Sequence, residues 1–144
     1  MLNIYCDGSC SWRNRRGGFG VVIYRENKII EEISEGAYFD TTISQMELLA
    51  MIISLQKIKE YNEESIIYSD SEYTTNMINQ KWLKSWKEFE FVGKKNSDFL
   101  QLYFDLFYSF SKNFVQIIHI RGHKGIEGNE KADFLAKKGY NNLS

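Results

Sequence analysis

Residues 2–39 read LNIYCDGSCSWRNRRGGFGVVIYRENKIIEEISEGAYF, and this opening decides the architecture. In residues 2–7 the side chains alternate. Leu2, Ile4 and Cys6 fall on one face and Asn3, Tyr5 and Asp7 on the other, which is the period of a strand. Residues 18–26 (GFGVVIYRE) and 28–39 (KIIEEISEGAYF) are two further extended runs. Only the polar Glu26-Asn27 turn separates them, so they are predicted to form a hairpin. Three strands in succession make an antiparallel start.

Past residue 40 the pattern changes period. Residues 41–61 read as a long helix, with Thr42 or Ser44 near its cap and Glu47 in its first turns. Residues 65–70 (SIIYSD) are a short apolar strand of the kind covered on both faces. Residues 71–86 suit one or two helices, 97–112 another, 114–121 (FVQIIHIR) the last strand and 128–138 the last helix. An antiparallel start followed by alternating strands and helices argues for an α/β fold, a mixed sheet with helices on its faces. No repeat, low-complexity tract or linker interrupts it, and a chain of 144 residues suits a single domain over 1–144.

Composition excludes several classes. With 26% charged residues, a net charge of −1 and 43% hydrophobic residues, the chain is not intrinsically disordered. Two cysteines cannot staple a secreted scaffold. No apolar run approaches the roughly 18–20 residues of a membrane span, and the amino terminus lacks the pattern of a secretion signal. The expectation is a soluble protein of a reducing compartment, the cytoplasm, with no membrane partner.

Acidic residues stand where a fold does not need them. Asp7 closes the first strand and Asp70 the fourth, and ligand sites of such sheets gather beyond the carboxyl ends of strands. Taken singly, each also suits a cap of the turn or helix that follows, the commoner role of Asp. Glu47 is harder to explain. Around it Ile43, Met46, Leu48, Leu49, Ala50, Met51, Ile52 and Ile53 point in nearly every direction, so the helix is buried. No basic residue lies within one turn of Glu47, and a shared cation is the better partner for its carboxylate. Asp133 follows Asn129 by one turn, on a helix face that Ala132 and Ala136 let approach its neighbour closely. Four elements thus each offer one inward carboxylate, and an all-oxygen cluster suits Mg²⁺ or Mn²⁺. Zinc does not fit: Cys6-x₃-Cys10 and His119-x₃-His123 are finger-like pairs, but far too much chain separates them. His123, in a glycine-rich loop after the last strand, is a plausible proton carrier, since its pKa lies near neutrality.

Four pieces carry a resemblance: Cys6-Asp7-Gly8-Ser9 with Gly17-Gly18-Phe19-Gly20; Met46-Glu47-Leu48; Ser69-Asp70-Ser71-Glu72-Tyr73; and Gly122-His123-Lys124-Gly125-Ile126-Glu127-Gly128-Asn129-Glu130-Lys131-Ala132-Asp133. In this order and spacing, over nearly the whole chain, they resemble type 1 ribonuclease H. The resemblance implies a five-stranded mixed sheet, three antiparallel strands then two parallel, flanked by helices. It implies an endonuclease that hydrolyses the RNA strand of an RNA–DNA hybrid, leaving 5′-phosphate and 3′-hydroxyl ends, and working as a monomer. By that analogy Asp7, Glu47, Asp70 and Asp133 hold two Mg²⁺ ions, with Mn²⁺ as a substitute. One ion activates the attacking water and the other stabilises the leaving 3′ oxygen. His123 assists proton transfer and product release, and Glu47 also contacts a ribose 2′-hydroxyl.

The resemblance also assigns a binding surface. Trp82, Trp86, Lys81, Lys84, Lys87, Lys94 and Lys95 look like the family's basic protrusion for the DNA strand, though shortened between Trp86 and Asn96. Residues 81–95 hold five lysines against Glu88 and Glu90, a local charge of +3, enough to track phosphates. The alternative for Trp82 and Trp86, spaced i and i+4, is burial on a helix. Phe99, Tyr103, Phe107 and Phe110 also follow helical spacing and are expected in the core. Thr42 and Asn96 match a pocket that grips a DNA phosphate, but Asp40 stands where that pocket often has Arg. Ile43 and Ser44 replace amide side chains at the minor groove, where Ser44 remains a candidate contact. Arg13, Arg15 and Arg16 in the first loop are the available compensation. Two rivals keep the same fold: a junction resolvase or transposase core, and a silent domain that binds nucleic acid or a protein. The first lacks the segment from Gly122 to Asp133, and silent versions usually lose a carboxylate.

Overall fold

The computed structural model describes residues 1–37 and 40–141. Its strands are β1 (Leu2–Cys10), β2 (Gly17–Arg25), β3 (Lys28–Ala37), β4 (Ser65–Ser69) and β5 (Val115–His119). Its helices are α1 (Ile43–Tyr61), α2 (Glu72–Asn79), α3 (Trp82–Lys87), α4 (Ser97–Tyr108) and α5 (Glu127–Asn141). The strands form one five-stranded sheet in the order β3-β2-β1-β4-β5. β1 and β3 pair antiparallel with β2, while β4 runs parallel to both β1 and β5. The fold is the mixed α/β arrangement expected. The predicted end of the third strand, at Tyr38 and Phe39, lies outside the described residues.

The elements form for local reasons. Thr42 caps α1: its hydroxyl accepts from the Gln45 N–H at 3.1 Å, and the Gln45 side chain accepts from the Thr42 N–H, a reciprocal capping box. Asn62, left-handed at φ 55°, ends the helix. Residues 71–86 divide into two helices at Gln80-Lys81, where Lys81 takes φ 61°.

α1 and α5 cover opposite faces of the sheet. Leu2, Ile4 and Cys6 of β1 are buried on the α1 side with Val21, Ile23 and Ile67. Met46, Ala50, Met51, Leu55 and Ile58 of α1 pack on them, all fully buried. The expectation of a helix buried all round fails in its first turn, where Ile43 is 56% exposed, and in its second half, where Gln56, Lys59 and Glu60 are exposed. On the other face Ala132 and Ala136 of α5 are fully buried against the sheet, so the helix does come close. Of the four aromatics expected in the core, only Tyr103 is fully buried, its hydroxyl donating to the Thr74 carbonyl at 2.9 Å. Phe99, Phe107 and Phe110 are half-buried at the rim, because α4 packs on α1 and α3 with its outer side open. Among the described residues no helix is long and apolar enough to cross a membrane.

Candidate active site

Asp7 does not close β1, which runs on to Cys10 along its antiparallel ladder with β2. The parallel ladder with β4 ends one residue earlier, at Cys6 and Ser69. Asp7 and Asp70 are therefore the first residues beyond the last rung on two adjacent strands. That puts both carboxylates at one sheet end. Asp7 is 4% exposed and its Oδ1 accepts the Gly8 N–H at 2.9 Å. The helix-capping role open to Asp70 belongs instead to Ser71, whose Oγ accepts the Thr74 N–H at 3.2 Å.

Glu47 arrives from α1, and a missing side chain allows the approach. A Cβ on Gly8 would lie 2.3 Å from the Glu47 backbone nitrogen, so any residue but glycine would push α1 off β1. One ligand oxygen from each of Asp7, Glu47 and Asp70 lies within 4.8 Å of the other two. Among the described residues no Lys or Arg pairs with any of the three, and the buried Oε2 of Glu47 has no hydrogen-bond partner. Burial first and the Asp7 charge second push Glu47 up to about 10. Burial and then Asp70 push Asp7 up to about 8. Carboxylates so perturbed by one another relieve the strain by sharing protons or cations.

Asp133 is outside this tight trio. It lies near enough to Asp7 to raise its pKa further, but its Oδ2 is paired with Lys137 Nζ at 3.1 Å. Lys137, one turn along α5, is not among the residues that the sequence singles out. His123 is exposed in the loop after β5, with φ 59°. Just before it, a Cβ on Gly122 would come within 2.6 Å of Asp70 Oδ2. No zinc pairing forms: Cys6 is buried, with its thiol pushed up by burial and by Glu47, and both cysteines are free. The one group of ligand atoms close enough for an ion, among the described residues, is the acidic trio.

A cavity of about 390 Å³ at the start of α1 is lined by Thr42, Ser44, Gln45, Lys94, Lys95 and Asn96, among others. Five of these six come from the expected binding surface. The sixth, Gln45, was missed, and it joins the others: its Nε2 donates to Asn96 Oδ1 at 2.8 Å. The Thr-x-x-Gln capping pattern was the available signal. Asp40 pairs with Arg15 at 2.8 Å, so the first loop does bring a guanidinium to this margin.

Trp82 and Trp86 are half-buried, which joins the two readings weighed for them. They pack on the core and on each other at 6.2 Å between centroids. Tyr73, half exposed, completes a three-ring platform at 5.9 and 6.3 Å. Lys94 Nζ stands 4.3 Å from the Trp86 ring centre. The lysines do not all share this face. Lys87 is held by Glu90 and Gln101 at 3.0 and 3.1 Å, and Lys84 lies over Tyr108.

Fold and site together define an α/β domain with an acidic trio, two of its members buried and Asp70 half-buried, beside its central strands. The family described as RNase H matches residues 1–141, and the chain belongs to it. It is 38% identical over 143 residues to a protein of Syntrophomonas wolfei named Ribonuclease H, covering 97% of this chain and 96% of that one. A Ribonuclease H of Francisella philomiragia is 40% identical over 136 residues, covering 93% and 87%. In structure the chain is similar to the foamy viral protease-reverse transcriptase solved in complex with RNA/DNA hybrid. There the TM-score is 0.84 at 23% identity, over 96% of this chain but only 20% of that longer one.

Proposed function

We propose that this chain is an endonuclease that hydrolyses the RNA strand of RNA–DNA hybrids, leaving 5′-phosphate and 3′-hydroxyl ends. The observation that carries the reading is the trio itself: three carboxylates within 4.8 Å, with one buried oxygen lacking any partner. Such an arrangement is costly unless a cation enters it. The donors are all oxygen, which fits a hard divalent ion and not zinc. Asp7, Glu47, Asp70 and Asp133 would hold two Mg²⁺ ions, or Mn²⁺ in their place. When bound, the ions supply a nucleophilic water and charge neutralisation at the leaving 3′ oxygen.

The chain's own residues do the rest. Thr42, Gln45 and Asn96, with Lys94 and Lys95, grip the DNA-strand backbone in the cavity at the start of α1, and Ser44 faces the duplex there. Trp82, Trp86 and Tyr73 offer ring faces to the sugars of that strand, and Lys87, held off this face by Glu90 and Gln101, reaches the duplex only by leaving those partners. Glu47 contacts a ribose 2′-hydroxyl, the group that separates RNA from DNA. His123, exposed on its loop, exchanges a proton at the scissile phosphate and aids product release. The protein acts as a single-domain monomer in the cytoplasm, with the hybrid duplex as its partner.

The test is a hybrid with its RNA strand end-labelled, incubated with Mg²⁺. Cutting of that RNA, with no cutting of duplex DNA of the same sequence, supports the reading. An intact RNA strand with a bound hybrid returns the silent-domain rival, and cutting of branched DNA returns the resolvase.

A further inference from the structure

Asp133 is the one expected carboxylate that already has a cation. Its Oδ2 lies 3.1 Å from Lys137 Nζ, whereas the trio of Asp7, Glu47 and Asp70 has none among the described residues. The pair is built into α5: an acid four residues before a lysine is the favourable order on a helix. The helix itself is fixed, since Ala132 and Ala136 on either side are fully buried. Lys137 is not fixed, because its side chain is half exposed and can swing to water, while that of Asp133 is only 25% exposed. The ammonium charge also reaches Asp7.

We infer that Lys137 is an internal counter-ion of Asp133 which one of the two divalent cations must displace. The site then fills in order. The trio takes the first ion without competition, and the second binds more weakly because it has to evict Lys137 from Asp133. Half-exposed helix pairs are weak, so the eviction is easy enough to occur yet large enough to measure. Without the second ion, Lys137 keeps the fourth carboxylate neutralised. The inference rests on the two-cation reading above, and the experiment separates the two.

The measurement is calorimetric titration of the metal-free protein with Mn²⁺ alone, without nucleic acid. Wild type, Lys137→Met, Lys137→Arg, Asp133→Asn and the Asp133→Asn/Lys137→Met double variant are compared. Methionine keeps the aliphatic stem on the helix and removes only the charge. Two binding events are expected in the wild type. Lys137→Met should tighten the weaker one about three- to tenfold and leave the tighter one unchanged. Lys137→Arg should behave as wild type, and Asp133→Asn should abolish the weaker event with or without Lys137→Met. Two events with the weaker one unchanged or loosened in Lys137→Met would overturn the role of Lys137 and leave the two-cation reading standing. A single event in the wild type at every concentration would overturn both.

Discussion

Replacing Glu47 by glutamine should make the metal-free protein more stable while removing its ability to hold a cation. Burial and the neighbouring carboxylates raise Glu47 from the ordinary 4.5 to about 10. At pH 7 the unfolded chain has this group ionised, and folding must protonate it. The about 2.5 pH units between 4.5 and 7 cost about 3 kcal/mol. Coulomb repulsion gives a similar size: charges no more than 4.8 Å apart repel by about 3.5 kcal/mol or more at an effective dielectric constant near 20. The amide of the Glu47→Gln variant carries no charge in either state and escapes this cost. Because the folded pKa is the higher one, the wild-type penalty is absent below about pH 4.5 and grows as pH rises toward 10. Thermal melting in the presence of EDTA reads it out. For a chain of this length about 3 kcal/mol corresponds to about 10 °C at pH 7, shrinking to about 2 °C at pH 5. Saturating Mg²⁺ should narrow the gap, since wild type gains about 2.7 kcal/mol at one hundred times its dissociation constant and the variant gains less. A variant no more stable than wild type at pH 7, or a gain that ignores pH, would refute the reasoning.

Asp70→Asn should remove most hybrid cleavage with folding and hybrid affinity nearly intact, and wild-type turnover in that variant would remove Asp70 from the site. Trp82→Ala with Trp86→Ala should cost about 2–3 kcal/mol of stability, as half-buried rings imply, and about tenfold in hybrid affinity; early melting with unchanged affinity would confine the indoles to packing. Gly122→Ala puts a methyl 2.6 Å from Asp70 Oδ2, where only the carboxylate end has to move. Its melting should stay near wild type while Mn²⁺ affinity falls about tenfold, and an unchanged affinity would show that Gly122 leaves Asp70 free.

The succession of strands and helices along the chain, and the inward carboxylates of which three cluster, were legible because they rest on local patterns. Alternation marks β1, the absence of a basic neighbour marks Glu47, and a carboxylate just past an apolar run marks Asp7 and Asp70, although β1 itself continues beyond Asp7 to Cys10. What escaped reading depends on contacts across distance in the chain. Gln45 meets Asn96 from 51 residues away, and no periodicity announces that bond. Tyr73 becomes a binding candidate only when the end of β4 carries it beside Trp82 and Trp86. The division of 71–86 turns on the left-handed Lys81, a conformation its residue type does not advertise. The Lys137 partner of Asp133 was readable in principle from its i,i+4 spacing. It escaped because it stands at the edge of α5, beside the inward face on which the buried alanines lie.

Anomalous scattering from crystals of the protein soaked in Mn²⁺ tests the central claim most directly. A peak bounded by oxygens of Asp7, Glu47 and Asp70, with a second toward Asp133 at higher concentration, is the predicted result. Manganese absent from that cleft, with the three carboxylates unchanged around it, would contradict the account.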